Sequence, residues 1–218
     1  MIQTLKSSLG FGLLLAIFLT ACATSPTGEM AASAQSAQIK SAWKNSTHEG
    51  HPQKIMVLGV AKDPANRKVF EDAFVRELKA RGADAIPSYT VLPDEKQNDP
   101  VVIAEKIGEH GSDAVLVTRL VGKEHAQLYV PGTIFQPHIY YDTWVDYFGY
   151  GYQALFMPDA IADDEQALLE ANVYDAAHKN MIWSSTSETT MTAADHATVK
   201  ATIGATVGAM AEQALLAK

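Results

Sequence analysis

The chain has 218 residues, with 17 basic and 25 acidic side chains and a formal net charge of −8 at pH 7. That balance disfavours nucleic acid and charge-driven adhesion to anionic lipid, both of which need basic surface. One domain's worth of residues with a single cysteine leaves packing, not disulfides, to hold the fold.

The chain opens with Lys6 and an apolar stretch from Leu9 to Leu19, about 11 residues. A helix needs roughly 20 to cross a bilayer, so the stretch reads as a cleaved signal and not an anchor. It ends Leu19-Thr20-Ala21-Cys22, which reads as a bacterial lipoprotein signal over 1–21. A small residue lets the peptidase bind the backbone, and the Cys22 thiolate is the nucleophile that takes a diacylglyceryl group. Loss of Lys6 with the signal brings the net charge to −9. Ala23, where aspartate would retain a lipoprotein in the inner membrane of enteric bacteria, points to the outer membrane and its periplasmic face.

Residues 22–52 are rich in Ala, Ser, Thr and Gln with almost no apolar periodicity, the composition of a flexible tether. His48 and His51 lie within it, but no cysteine or carboxylate cluster completes a metal shell around them. Residues 53–218 are expected to form a single periplasmic α/β domain. Ile55–Val60 is an apolar run suited to a strand buried on both faces. Asp63-Pro64 then supplies an N-cap and a first-turn proline, and Phe70, Phe74 and Leu78 recur at helical spacing up to Gly82. The pattern repeats with a short strand over Ser88–Leu92, the Asp99-Pro100 cap, Val102, Ile103 and Ile107 on a helix, and an apolar strand over Ala114–Val121. Alternation of this kind specifies a βαβαβ unit with parallel strands, Ala114–Val121 lying centrally.

The second half changes character. Gln166–Tyr174 and Met181–Thr190, joined by turn residues Asp175–Asn180, read as an antiparallel hairpin with one solvated face. Ser184 and Ser185 would then be solvated. A final helix from near Asp195 carries Val199, Ile203, Val207, Met210 and Ala214, with Gly204 and Gly208 allowing close packing on the sheet. The fold class expected is thus α/β, a βαβαβ unit followed by an antiparallel hairpin and a C-terminal helix, with helices packed on a mixed sheet.

An insert at 129–161 holds 10 of the chain's 18 aromatic residues, broken by Pro131, Gly132, Pro137, Gly149 and Gly151 into a segment too punctuated for one regular element. Long inserts in compact domains are functional or disordered, and the ring content argues against disorder. Tyr140, Tyr141, Trp144, Tyr147 and Tyr150 form a candidate interaction surface; alternatively the rings cap an open end of the core. Asp142 and Asp146 could meet a cation or a sugar hydroxyl there, or form a polar rim. Asp159, Asp163, Asp164 and Glu165 match no EF-hand spacing and read as a solvated turn.

Catalytic signatures are missing. Gly59-Val60-Ala61-Lys62 lacks the glycines and the Gly-Lys-Ser/Thr of a phosphate-binding loop, so nucleotide is not expected. No metalloprotease helix or nucleophile elbow is present. The sequence therefore implies no catalytic residue, no cofactor, no metal, and no enzyme activity.

The lipobox, the βαβαβ unit with Leu-x-x-x-Gly-Ala at Leu78–Ala83, the insert, Leu169–Asp175, and Trp183–Ser187 before a C-terminal helix together resemble a family of uncharacterised bacterial lipoproteins. The element order is also distantly similar to the periplasmic α/β domains of the curli secretion lipoprotein, the penicillin-binding-protein activator lipoproteins and the amino-terminal domain of the Tol-system propeller protein. That resemblance implies action by protein contact. The insert lacks a clear pair of alternating membrane hairpins, which separates the chain from the pore-forming member. The expected function is a non-enzymatic outer-membrane lipoprotein that binds another envelope protein or itself; the alternative is a domain that captures a small apolar molecule or glycan at the aromatic insert.

Overall fold

Apolar runs separated by capped amphipathic segments fold here as a six-stranded mixed sheet with helices on both faces. The computed structural model describes residues 37–122, 143–154, 166–190 and 196–217. Strands β1 (Gln38–Lys44), β2 (Lys54–Val60), β3 (Asp84–Pro87), β4 (Ala114–Gly122), β5 (Gln166–Asp175) and β6 (Met181–Thr190) lie in the order β1-β6-β5-β4-β2-β3. β3, β2 and β4 are parallel, and β4, β5, β6 and β1 pair antiparallel. Helices α1 (Pro64–Ala80), α2 (Pro100–Glu109), α3 (Trp144–Ala154) and α4 (His196–Glu212) complete the described residues. None of these helices is long and apolar enough to cross a membrane.

Alternation along each strand sorts the core into two layers. Ile55, Val57, Leu116, Ala171, Val173 and Trp183 face α1 and α4, where Phe74, Leu78, Ile203, Val207 and Met210 meet them. Met56, Leu58, Val115 and Val117 face the other way, toward Ile103 and Ile107 of α2 and Trp144, Tyr147 and Phe148 of α3. Burial on both faces is why β2 and β4 read as continuous apolar runs. Both predicted caps form: Asp63 accepts from the Ala65 N–H at 3.0 Å, and Asp99 from the Val101 N–H at 3.1 Å and the Val102 N–H at 3.4 Å. The Val102 amide chiefly, with Val101 and Lys96, holds the Asp99 carboxyl below its ordinary range, against desolvation, which pushes it up.

Several expectations are corrected. Strand β1 falls inside the segment read as a tether. Its register against β6 shifts between Ile39 and Ser41, which breaks the period-2 signal that would have declared it. The second strand of the parallel unit is Asp84–Pro87, not Ser88–Leu92. Pairing with β2 stops at Pro87, which has no N–H to donate, and Ser88–Thr90 turns into a 3-10 segment. The β5–β6 hairpin has no solvated face over its middle: Glu170, Asn172, Ser184, Ser185 and Thr186 are all buried. Part of that polar alternation marks internal hydrogen bonding, as when Glu170 accepts from Arg119 at 2.7 Å and the Ser187 and Thr206 hydroxyls meet at 2.8 Å across the α4 packing seam, whereas the buried Ser185 hydroxyl has no partner. The punctuated insert does contain a regular element, helix α3.

α4 ends before Ala214, a residue expected on its apolar stripe. Ala214 instead takes φ 52°, and the Leu215 N–H reaches back to the Met210 carbonyl at 2.9 Å, closing the helix so that Leu215 and Leu216 are buried. Lys44 of β1 donates to the Ala214 carbonyl at 2.8 Å and the Gln213 carbonyl at 3.1 Å, capping the same helix end. A left-handed alanine carries steric strain that glycine avoids. Ala214→Gly is expected to raise stability by about 0.5–1 kcal/mol in a urea melt.

Candidate functional site

The topology places a crevice before any side chain is considered. The chain leaves β2 for β3 through α1 on one face, then returns from β3 to β4 through α2 on the opposite face. β2 and β4 are therefore neighbours whose connections diverge, and in open α/β sheets ligands bind outside the carboxyl ends of such a strand pair. An opening lies there, about 190 Å³ in volume and mostly apolar. It is lined by residues 59–63 after β2, by Asn66 and Phe70 of α1, and by residues 118–120 of β4.

Two buried polar networks brace its walls. In the first, Glu71 of α1, fully buried, accepts from the Gly59 N–H at 2.9 Å, the Arg67 Nε at 2.9 Å and the Ser88 hydroxyl at 2.7 Å through one oxygen. The Tyr89 N–H reaches its other oxygen at 2.9 Å. Arg67 extends the network to Ser88 Oγ at 2.7 Å and Gln97 Oε1 at 2.5 Å. A Cβ at residue 59 would lie 3.2 Å from the Glu71 Cγ, so glycine there admits the close approach. Glu71→Gln, which keeps the shape and leaves Arg67 buried without a counter-charge, is expected to cost about 3 kcal/mol of folding stability by denaturant melt.

The second network joins β4, β5 and α3. Arg119 Nε donates to Glu170 Oε2 at 2.7 Å and approaches the Tyr147 hydroxyl at 3.2 Å, while that hydroxyl donates to Glu170 Oε2 at 2.8 Å. The guanidinium carbon lies 5.3 Å from the centre of the Tyr147 ring and 5.0 Å from that of Tyr150, within cation–π range. Burial works against the Arg119 charge, but Tyr147 and Glu170 hold it protonated well above the usual arginine range. Burial first, then the Glu170 carboxylate, pushes the Tyr147 phenol well above its ordinary value, with Arg119 pulling the other way. Tyr147 therefore stays neutral and remains a donor. Tyr147→Phe keeps the ring and withdraws that donor, and is expected to cost about 1–2 kcal/mol, less than any truncation of the ring.

The proposed interaction surface is corrected in part. Trp144 and Tyr147 are each 1% exposed and belong to the core under α3, because the α3 face that carries them turns toward β2 and β4. Tyr150 is 40% exposed and stacks beside Arg119. Gly151 lets α3 approach, since a Cβ there would lie 3.3 Å from the Arg119 Cδ. Asp146 is held by Thr143, whose hydroxyl donates to it at 2.6 Å and accepts its N–H at 3.2 Å, so it closes the start of α3. Tyr140, Tyr141, Asp142, the acidic run at 159–165 and Cys22 lie outside the described residues. No group of three or more His, Cys, Asp or Glu side chains able to hold a metal ion occurs among the described residues.

Arg67, Glu71, Arg119 and Glu170 escaped sequence reading. A signal existed for one: Arg119 interrupts the apolar run Ala114–Val121 at the carboxyl end of a central strand, a position that obliges a buried partner.

No protein-family model matches the chain, and no curated protein matches its sequence. Among solved structures, the PelC dodecamer of Paraburkholderia phytofirmans is similar at 11% identity, over 84% of this chain and 99% of that one, with a TM-score of 0.44. A variant of the same dodecamer matches at 12% identity over 77% and 94%, also at 0.44. Lipoprotein GNA1162 of Neisseria meningitidis matches at 17% identity over 74% and 99%, at 0.39. The α/β assignment rests on the strand order and helix placement above.

Proposed function

We propose that this chain is a lipid-anchored protein of the bacterial envelope, held through Cys22 at the periplasmic face of the outer membrane, whose α/β domain works by binding a partner protein and not by catalysis. The signal ending in Leu19-Thr20-Ala21-Cys22 supports the anchor. The observation that carries the binding reading is the crevice between β2 and β4. At about 190 Å³ it exceeds the roughly 150 Å³ cavity that admits benzene, and falls short of the roughly 300 Å³ at which small-molecule sites begin. That size suits one large apolar side chain of a partner, and a few such seated anchors supply most of the energy of a protein interface. The alternative, capture of a glycan or small apolar molecule at the aromatic insert, loses the ring faces of Trp144 and Tyr147 to the core.

Two experiments test the two halves. Cys22→Ser should abolish palmitate labelling and release the domain from the membrane fraction; equal labelling overturns the anchor. Ala61→Trp places a large ring at the crevice wall and should remove crosslinked adducts formed in cells without lowering the melting temperature. Unchanged adducts would move the contact surface elsewhere.

A further inference from the structure

Polar side chains collect on the sheet face away from α1 and α4, where the fold leaves them short of partners. Register places Arg119 of β4, Glu170 of β5 and Thr186 of β6 in one cross-strand row, with Asn172 of β5 and Ser184 of β6 in the next. All five are buried, Asn172 at 5% and Ser184 at 1% exposure. Arg119 and Glu170 meet through Nε and Oε2 alone. Nη1 and Nη2 of Arg119 and Oε1 of Glu170 make no hydrogen bond among the described residues, and neither does the Asn172 amide or the Ser184 hydroxyl. The Ser41 hydroxyl of β1, in the Thr186 row, is likewise buried without a partner. Buried polar atoms in native folds are nearly all satisfied, so a group left open together on one face is suited to bonds from outside the fold.

Independently of the crevice, we infer that this polar island binds one neutral hexose unit of a glycan. The open guanidinium nitrogens donate, Glu170 Oε1 accepts, and the Asn172 amide and Ser184 hydroxyl do both. Adjacent sugar hydroxyls, each donor and acceptor at once, match that mixture. An anion would suit Arg119 but face the Glu170 carboxylate, a cation would meet the reverse, and an apolar guest would leave every open atom unpaired. A peptide backbone presents its donors and acceptors along an edge, not clustered beneath a ring. The island spans two strand spacings, about 10 Å, by about 7 Å along the strands, the footprint of a single sugar ring. Trp43, opposite Ser184 on the same face, offers an indole to the ring's C–H side. It is half-buried on the edge strand, so the island lies nearest to solvent on that side.

The full lipidated chain in nanodiscs should be titrated, by tryptophan fluorescence and calorimetry, with trisaccharides of glucose, galactose, mannose or N-acetylglucosamine. Trigalacturonate and the glucosamine trisaccharide serve as charged counterparts. At least one neutral trisaccharide is expected to bind with a Kd below about 1 mM, and about tenfold more tightly than either charged one. Asn172→Leu and Ser184→Ala should each weaken binding at least about fivefold while the melting temperature holds or rises, because neither group serves a bond within the fold. No neutral sugar bound at about 10 mM, equal affinity for a charged one, or undiminished binding by both variants overturns the inference. So does a fall in melting temperature that accounts for the lost binding, since the groups would then serve the fold. Ala61→Trp, in the crevice, should leave sugar binding unchanged; loss of binding there would place the sugar in the crevice and overturn the assignment to the island.

Discussion

Val117→Asp should leave no cooperatively folding domain. Val117 is fully buried in β4, with Leu58 of β2 on one side and Asn172 of β5 on the other. An unpaired carboxylate there costs several kcal/mol, against a total stability of about 5–15 kcal/mol for a typical domain. The same strand shows what a charge at this depth requires. Two residues along, on the same face, Arg119 is tolerated because Glu170 and Tyr147 stand within hydrogen-bond reach. A carboxylate in place of Val117 would have Arg119 as its same-face neighbour, and that cation is already paired with Glu170 at 2.7 Å. Glu105→Ala, on the exposed side of α2, is the matched control and should melt with the parent. A soluble Val117→Asp chain with a cooperative thermal transition would place β4 outside the sheet centre.

Replacing Trp144 and Tyr147 together by alanine is expected to remove more than about 5 kcal/mol. Each large ring truncated in a packed core costs about 3–5 kcal/mol, and the two holes would adjoin under α3. Loss of Tyr147 also withdraws the donor to Glu170 and one of the two rings beside the Arg119 guanidinium. Urea melts of the single and double variants separate core from surface: rings that merely anchor a partner would leave the midpoint unmoved. A double variant melting within a few degrees of the parent would return these residues to the interface.

The parallel unit is legible in the sequence because its signals are local. Asp63-Pro64 and Asp99-Pro100 announce helix starts through side chains a few residues at most from the amides they cap, and β2 and β4 carry their burial in uninterrupted apolar runs. What escapes depends on partners distant in sequence. Ile39, Ala42 and Trp43 form a strand only because β6 offers the other edge, and the shift at Ser41 hides their alternation. Glu170 and Asn172 mimic a solvated face, since a polar residue paired across 51 positions looks in sequence like one paired with water. Trp144 and Tyr147 resemble a surface because the glycines around them suggest a loop. Gly151 instead lets a helix lie close over Arg119. The crevice has no sequence signal beyond the turn after β2, because the crossing of α1 and α2 to opposite faces creates it.

Strand β1 also sets a distance. With Cys22 as the lipid attachment, the sheet begins only 16 residues later, at Gln38. Fully extended, those residues reach at most about 55 Å, roughly half of what a leash running to Pro52 would allow. β1 is an edge strand, so a tether from Cys22 would join the sheet at its side and not beneath its centre. On the proposed anchoring, a partner seated between β2 and β4 would sit within that reach plus the three to four strand spacings, about 4.8 Å each, that separate β1 from the crevice, and lengthening the segment between Cys22 and Gln38 should extend the range of envelope proteins the domain can be crosslinked to.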